Sequence, residues 1–102
     1  MEEITAKQLE HKLNHNKSLF VIDIREQFEL QFGKIPGAVH IPSQQLLSEM
    51  DQLDKDTEYI LVCHSGGRSE MIGQFLEMYG YKTVNVVDGM VGWNGELEFN
   101  TD

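Results

Sequence analysis

Tyr59-Ile60-Leu61-Val62-Cys63-His64-Ser65-Gly66-Gly67-Arg68-Ser69 holds a strand, a turn and the start of a helix in one stretch. Tyr59 to Val62 is short, continuously apolar and β-branched, which suits a strand buried on both faces. Gly66-Gly67 marks a turn. Ser69 to Tyr79 then predicts the best helix in the chain, with Gly80 behind it as C-cap. Its stripe of Met71, Ile72, Phe75, Leu76 and Tyr79 reads as core. A thiol therefore stands where an apolar strand hands over to a helix.

Outward from this stretch, strands and helices alternate. Ahead of it, Ala6 to His15 reads as a helix capped by Thr5, with Leu9 and Leu13 on one face. Leu19-Phe20-Val21-Ile22 is a second apolar run, stopping at Asp23. Glu26 to Phe32 predicts a short helix ended by Gly33, and Ile35-Pro36-Gly37 a turn. Ala38 to Ile41 predicts a strand closed by Pro42; Ser43 then caps a helix that turns Leu46, Leu47 and Met50 inward. Behind it, Thr83 to Val87 reads as a last strand and Gly89 to Trp93 as a turn or short helix. The polar stretch 94–102 reads as a loose tail. Such alternation predicts an α/β fold, a parallel sheet covered by helices on both faces. Open parallel sheets build their sites at the carboxyl ends of strands, here after Val62, Val87 and Ile22.

The chain has 102 residues, one ordinary domain spanning 1–102, which excludes a two-domain enzyme. Eight basic against seventeen acidic residues leave a net charge of −9, which argues against nucleic acid and anionic membrane surfaces as partners. The acidic start Met1-Glu2-Glu3 lacks the order of a signal peptide, and no apolar run approaches the roughly 18 residues of a membrane span. A cytoplasmic protein is the expectation. Cys63 is the only cysteine, so no internal disulfide forms and no second thiol resolves an oxidised or sulfur-loaded Cys63.

The segment from Cys63 to Ser69 predicts chemistry. A turn into a helix N-terminus aims backbone N–H groups at one spot and adds roughly half a unit of positive charge. That environment favours a thiolate and so a nucleophile. Gly66 and Gly67 let the backbone bend around the sulfur, and Arg68 offers a planar fork for an oxyanion. A buried cysteine at a strand end is ordinarily inert packing. Packing alone, however, needs neither a Gly-Gly turn nor the arginine.

Three segments resemble the rhodanese-like family of sulfurtransferases over nearly the whole chain. Asp23-Ile24-Arg25-Glu26-Gln27-Phe28-Glu29 through Gly33-Lys34-Ile35-Pro36-Gly37-Ala38 resembles D-V-R-x-x-x-E … G-H-I-P-G-A without a gap. Cys63 to Arg68 resembles the C-x-x-x-x-R loop, with Ser69 after it, and Val87 to Trp93 resembles x-G-G-M-x-x-W. Two positions depart: Lys34 stands for a histidine and Asp88 for a glycine. The resemblance implies a central, mostly parallel sheet of about five strands. It also implies sulfane-sulfur transfer. The Cys63 thiolate attacks the outer sulfur of thiosulfate or another persulfide donor and carries it as a persulfide. A thiol or protein acceptor then removes it. His64, Ser65, Gly66, Gly67 and Ser69 would bind the persulfide and Arg68 the anionic donor, with no metal or organic cofactor. The net charge of −9 predicts thiosulfate to be a poorer donor than a protein or small-thiol persulfide.

Two other readings stand beside this one. A rhodanese fold can serve as a non-catalytic interaction module. Cysteine phosphatases and arsenate reductases of related fold set five residues between cysteine and arginine; here four intervene, a tighter cradle that suits a single sulfur. Among the remaining residues, His64 reads as a loop side chain facing solvent, and Ser65 as an even-handed candidate to bond the persulfide. Asp23 and Arg25 are rim candidates, read chiefly as an ion pair bracing the loops, with Glu29 able to join it. Met90 and Trp93 are read as pocket wall or core seal, and His11 and His15 as exposed rather than metal-binding.

Overall fold

The computed structural model describes residues 1–99. Five strands form one all-parallel sheet: β1 Glu2–Ile4, β2 Phe20–Asp23, β3 Val39–His40, β4 Glu58–Val62 and β5 Lys82–Val86, in the order β1-β5-β4-β2-β3. The three inner strands, β5, β4 and β2, are the longest, and all but their first residues are buried. Three α-helices cross between strands: α1 Ala6–His15, α2 Ser43–Ser48 and α3 Gly67–Met78. Short 3₁₀ turns occupy Gln27–Phe32, Met50–Gln52 and Gly89–Gly92.

Each face of the sheet buries its own core. Ile4, Ala6, Leu9, Val21, Ile60, Val62, Val84 and Val86 pack on the α1 side. Ile22, Ile24, Leu46, Tyr59, Leu61, Cys63 and Leu76 pack under α2 and α3. Successive strand side chains point to opposite faces, so Leu61 and Cys63 share one side while Ile60 and Val62 share the other. The carboxyl ends of all five strands lie along one edge.

Helix ends follow from local chemistry. The Thr5 hydroxyl accepts from the Gln8 amide while the Gln8 side chain accepts from the Thr5 amide, a capping box that starts α1. At the end of α3 the Tyr81 amide reaches the Leu76 carbonyl and the Gly80 amide the Glu77 carbonyl, with Gly80 at φ 91°. That left-handed position admits glycine readily.

Several expectations need correction. The strand read at Ala38 to Ile41 keeps only Val39–His40, because it is an edge strand and Pro42 follows. β1 was not anticipated. It has three residues, of which Ile4 alone is buried. Pro42, not Ser43, occupies the cap position of α2. The stripe on α3 is core only in part: Leu76 is buried and Ile72 packs against the core, while Met71 is 72% exposed and Phe75 and Tyr79 also face out. Ser69 and Gly73 complete the inward face, because Gly73 lets the helix approach the Thr83 side chain closely. Residues 96–99 are pinned rather than loose. The Lys34 and Glu98 backbones exchange hydrogen bonds of 2.9 and 2.8 Å, and their side chains pair at 3.0 Å. Residues 100–102 of the expected tail lie outside the described residues. No helix among the described residues is long and apolar enough to cross a membrane.

Candidate active site

β4 ends at Val62, and the next residue carries the thiol. Cys63 is 1% exposed and packs within the core beneath α2 and α3, yet its sulfur is not left among aliphatic groups. The Gly66 amide donates to Sγ at 3.2 Å and the Ser69 amide at 3.4 Å; the Ser69 hydroxyl lies 3.4 Å away. Burial pushes the Cys63 thiol up. The Ser69 hydroxyl and the amides of Ser69, Gly66 and Ser65 pull it down further, so it sits below the ordinary cysteine value. The predicted amide nest is present, at the start of a twelve-residue helix.

Two glycines interlock this loop with the next one. Gly66 has φ 97°, and a Cβ there would collide with the Val87 carbonyl. Gly89 has φ 54°, and a Cβ there would collide with the Cys63 carbonyl. The Met90 amide binds the Cys63 carbonyl at 2.9 Å and the Val91 amide the His64 carbonyl at 3.0 Å. Gly67, by contrast, has an ordinary backbone and open space around it, so the bend rests on Gly66.

Behind the sulfur lies a residue that the reading of motifs missed. Asn85, 1% exposed on β5, accepts the Ser69 hydroxyl with Oδ1 and donates from Nδ2 to the Gly66 carbonyl at 3.3 Å. A lone amide between Val84 and Val86 in a buried strand was the available signal, since such a group must find partners.

The charged residues divide into two pairs. Arg25 binds both Asp23 carboxylate oxygens at 2.8–3.1 Å and the Gly33 carbonyl at 2.9 Å. Asp23 is fully buried and Arg25 3% exposed, so Asp23 is no rim residue; the pair braces the 25–33 loop from within. His40 adds a contact from Nε2 to the Arg25 carbonyl at 2.7 Å. Glu29 joins the other arginine. Its carboxylate takes the Arg68 fork at 3.0 and 2.9 Å, while Arg25 reaches only its main-chain oxygen. The Arg68 hydrogen bonds hold the Glu29 carboxyl below the usual carboxylate value, and Glu29 raises Arg68 in return.

A cavity of about 420 Å³ opens beside the loop, lined by Arg25, Phe28, Glu29, Phe32, His64, Met90, Val91 and Trp93 among others. Met90 and Trp93 both wall this cavity and pack against the α1-side core, so the two readings of Trp93 hold together. His64 and Ser65 are exposed, and no side-chain hydrogen bond joins Ser65 to the sulfur. A larger groove of about 500 Å³ lies across Trp93, between α1 and Pro36-Gly37, away from Cys63. Among the described residues no cluster of three metal-binding side chains occurs, and His15 turns its Nδ1 to the His11 carbonyl.

Both departures from the family pattern have local partners. The Lys34 ammonium binds the Ala38 carbonyl at 2.7 Å and the Glu98 carboxylate. The Asp88 carboxylate accepts from the Ala6 amide at 2.7 Å, at the positive end of α1, and Gly92 leaves the room its side chain occupies.

Comparison with known proteins agrees with the fold. Residues 5–96 match the rhodanese-like domain family. The chain is 43% identical over 98 residues to a Bacillus subtilis protein named "Putative sulfurtransferase YtwF", covering 96% of this chain and 95% of that one. It is 38% identical to "Putative sulfur carrier protein YrkF" of the same organism, covering 94% of this chain and 52% of that protein, about half its length. A crystal structure of a rhodanese-like domain protein from Staphylococcus aureus superposes with a TM-score of 0.90 at 34% identity, covering 99% of this chain and all of that one.

Proposed function

The chain belongs to the rhodanese-like domain family, and from that premise we propose that it is a sulfurtransferase working through Cys63. The Cys63 thiolate attacks the outer sulfur of a persulfide or thiosulfate donor. The donor's S–S bond breaks, and the donor thiolate or sulfite leaves with the electron pair. Cys63 then carries a persulfide. An acceptor thiolate attacks its outer sulfur, the new S–S bond forms on the acceptor, and Cys63 returns as thiolate. The covalent persulfide serves in place of any cofactor. The amides of Gly66 and Ser69 hold the Cys63 sulfur as the attacking and departing thiolate.

One observation carries the reading: a buried sulfur that receives two backbone amides at the carboxyl end of a central strand. The four-residue spacing to Arg68 favours a single sulfur over a phosphoryl group.

The mouth of the site supports a donor or acceptor that is a thiol carrier with an apolar flank, rather than a small dianion. Arg68 is held by Glu29 and Arg25 by Asp23, so both guanidiniums near the cavity are neutralised. Phe28 and Phe32 are about 70% exposed, and Val91 stands exposed beside them. An apolar rim of this kind suits a protein-borne or small-molecule thiol.

Intact-mass measurement after incubation with a persulfide donor tests the assignment. The native chain is expected to gain one sulfur atom and Cys63→Ala none. Absence of any gain from thiosulfate and from small-thiol persulfides would remove the proposal.

A further inference from the structure

The Ser69 hydroxyl has one hydrogen and three acceptors within reach: Asn85 Oδ1, the Gly66 carbonyl at 3.3 Å and Cys63 Sγ at 3.4 Å. Asn85 decides among them. Its Nδ2 donates to the Gly66 carbonyl, which fixes the orientation of the amide. The reverse orientation would set two carbonyl oxygens against each other in a buried space. With Oδ1 facing Ser69, the hydroxyl donates to Asn85, and the Ser69 oxygen offers a lone pair to the protonated thiol. The resting chain of donors runs Cys63 S–H, Ser69 O–H, Asn85 Oδ1.

Ionisation reverses one link. Once the thiol proton has gone to water, the sulfur has no hydrogen to give. It gains most if the Ser69 hydroxyl rotates to donate to it alongside the Gly66 and Ser69 amides. That rotation strips Asn85 Oδ1 of its donor, and among the described residues no other donor is bonded to it. Asn85 thus opposes the thiolate that the amides favour.

We propose that Asn85 is a positioning residue that sets the ionisation of Cys63 by competing with the sulfur for the Ser69 hydroxyl proton. The inference rests on Cys63 being the reactive group, as read above, and concerns how that group is kept in check. In the loaded state the negative charge moves to the outer sulfur. The inner sulfur then needs the hydroxyl less, and the proton returns to Asn85. The competition therefore disfavours a standing thiolate, the form most open to oxidation, and yields once the sulfur is bonded.

The charged and titratable groups around the sulfur are the same in every variant of the test below. They are His64 in the loop, Arg68 at the start of α3, Glu29 across from it, and the Asp23–Arg25 pair at the end of β2.

Cys63 is the only cysteine, so thiolate ultraviolet absorbance followed against pH, with Cys63→Ala subtracted, reports this sulfur alone. Ser69→Ala is expected to raise the midpoint by about one pH unit through loss of a donor. Asn85→Ala, and Asn85→Leu as a better space-filler, are expected to lower it by roughly half a unit to one unit. In a Ser69→Ala background the Asn85 substitutions are expected to move it by less than about 0.2 units, because Asn85 acts through the hydroxyl. A merely structural amide gives a different pattern: a raised midpoint, or the same shift with Ser69 absent. Either result overturns the proposal. The titration needs no sulfur donor, so failure of sulfur loading would remove the transferase reading while leaving this result to stand or fall on its own.

Discussion

The carboxyl ends of β2 and β4 lie side by side, with Asp23 in register with Val62, and the chain finishes them by different means. β2 ends in charged side chains. Asp23 and Arg25 are buried, bonded to each other through both carboxylate oxygens, and Arg25 also ties down the Gly33 carbonyl. β4 ends in a neutral loop in which main-chain amides converge on one sulfur. A closed ion pair has no unused valence and can only hold the loop in place. An amide nest around a thiol has capacity left for negative charge, wherever it comes from. Buried charge is therefore the structural end here, and the backbone the chemical one.

The sharpest way to break that contrast is to remove each centre in turn. Cys63→Ala is expected to lower sulfur transfer by at least about a thousandfold while the chain stays folded, measured by donor consumption and thermal melting. Asp23→Ala is expected to cost about 3–5 kcal/mol of stability, because it leaves Arg25 buried without its partner. Denaturant unfolding measures this. Equal destabilisation by both substitutions would dissolve the distinction.

Glu29→Gln sharpens it from the other side, by opening the only guanidinium fork near the loop that reaches water. Arg68 is 40% exposed in its side chain and Glu29 18%. With the pair broken, kcat/KM for thiosulfate is expected to rise roughly tenfold, about 1.4 kcal/mol, and that for an uncharged thiol persulfide to change little. An unchanged thiosulfate rate would mean that Glu29 does not mask Arg68. The pair's stabilising effect is smaller, about 0.5–1 kcal/mol after solvent screening. Its sign with pH follows from the lowered Glu29 value. The native chain's advantage over Glu29→Gln is full above the ordinary carboxylate value of 4.5 and is lost as the pH falls through the lower folded value. Melting curves of the two proteins are expected to converge in acid.

The smallest effect belongs to Asp88. Replacing it with glycine, the residue the family pattern has there, removes the acceptor for the Ala6 amide and is expected to cost about 1 kcal/mol. Loss of helical signal in α1 before global melting would show the cap at work.

Much of this arrangement is legible in the bare sequence. The apolar runs at Val21-Ile22 and Tyr59 to Val62 announce inner strands because both faces are covered. Thr5 announces the start of α1, and the turn after Cys63 announces the nest. What the sequence withheld depends on contacts between distant segments. β1 has no periodicity because only Ile4 is buried. On α3 the sequence pattern picks out Ile72 and Leu76 but not the glycine and serine beside them, Gly73 and Ser69, which make the close approach and leave Met71 and Phe75 outside. Spacing suggested that Glu29 joins Arg25 one helical turn away. Arg68, thirty-nine residues distant, takes its carboxylate instead, because Asp23 already satisfies Arg25. The polar end reads as loose until Lys34 is seen to need a carboxylate, which Glu98 supplies.

The mutual fit of Gly66 under the Val87 carbonyl and Gly89 under the Cys63 carbonyl makes the two segments a single unit for engineering. Lengthening the Cys63–Arg68 span by one residue, to imitate an oxoanion hydrolase, would push against the backbone after β5. A transplant intended to change the reaction has to bring Val87 to Gly92 with it.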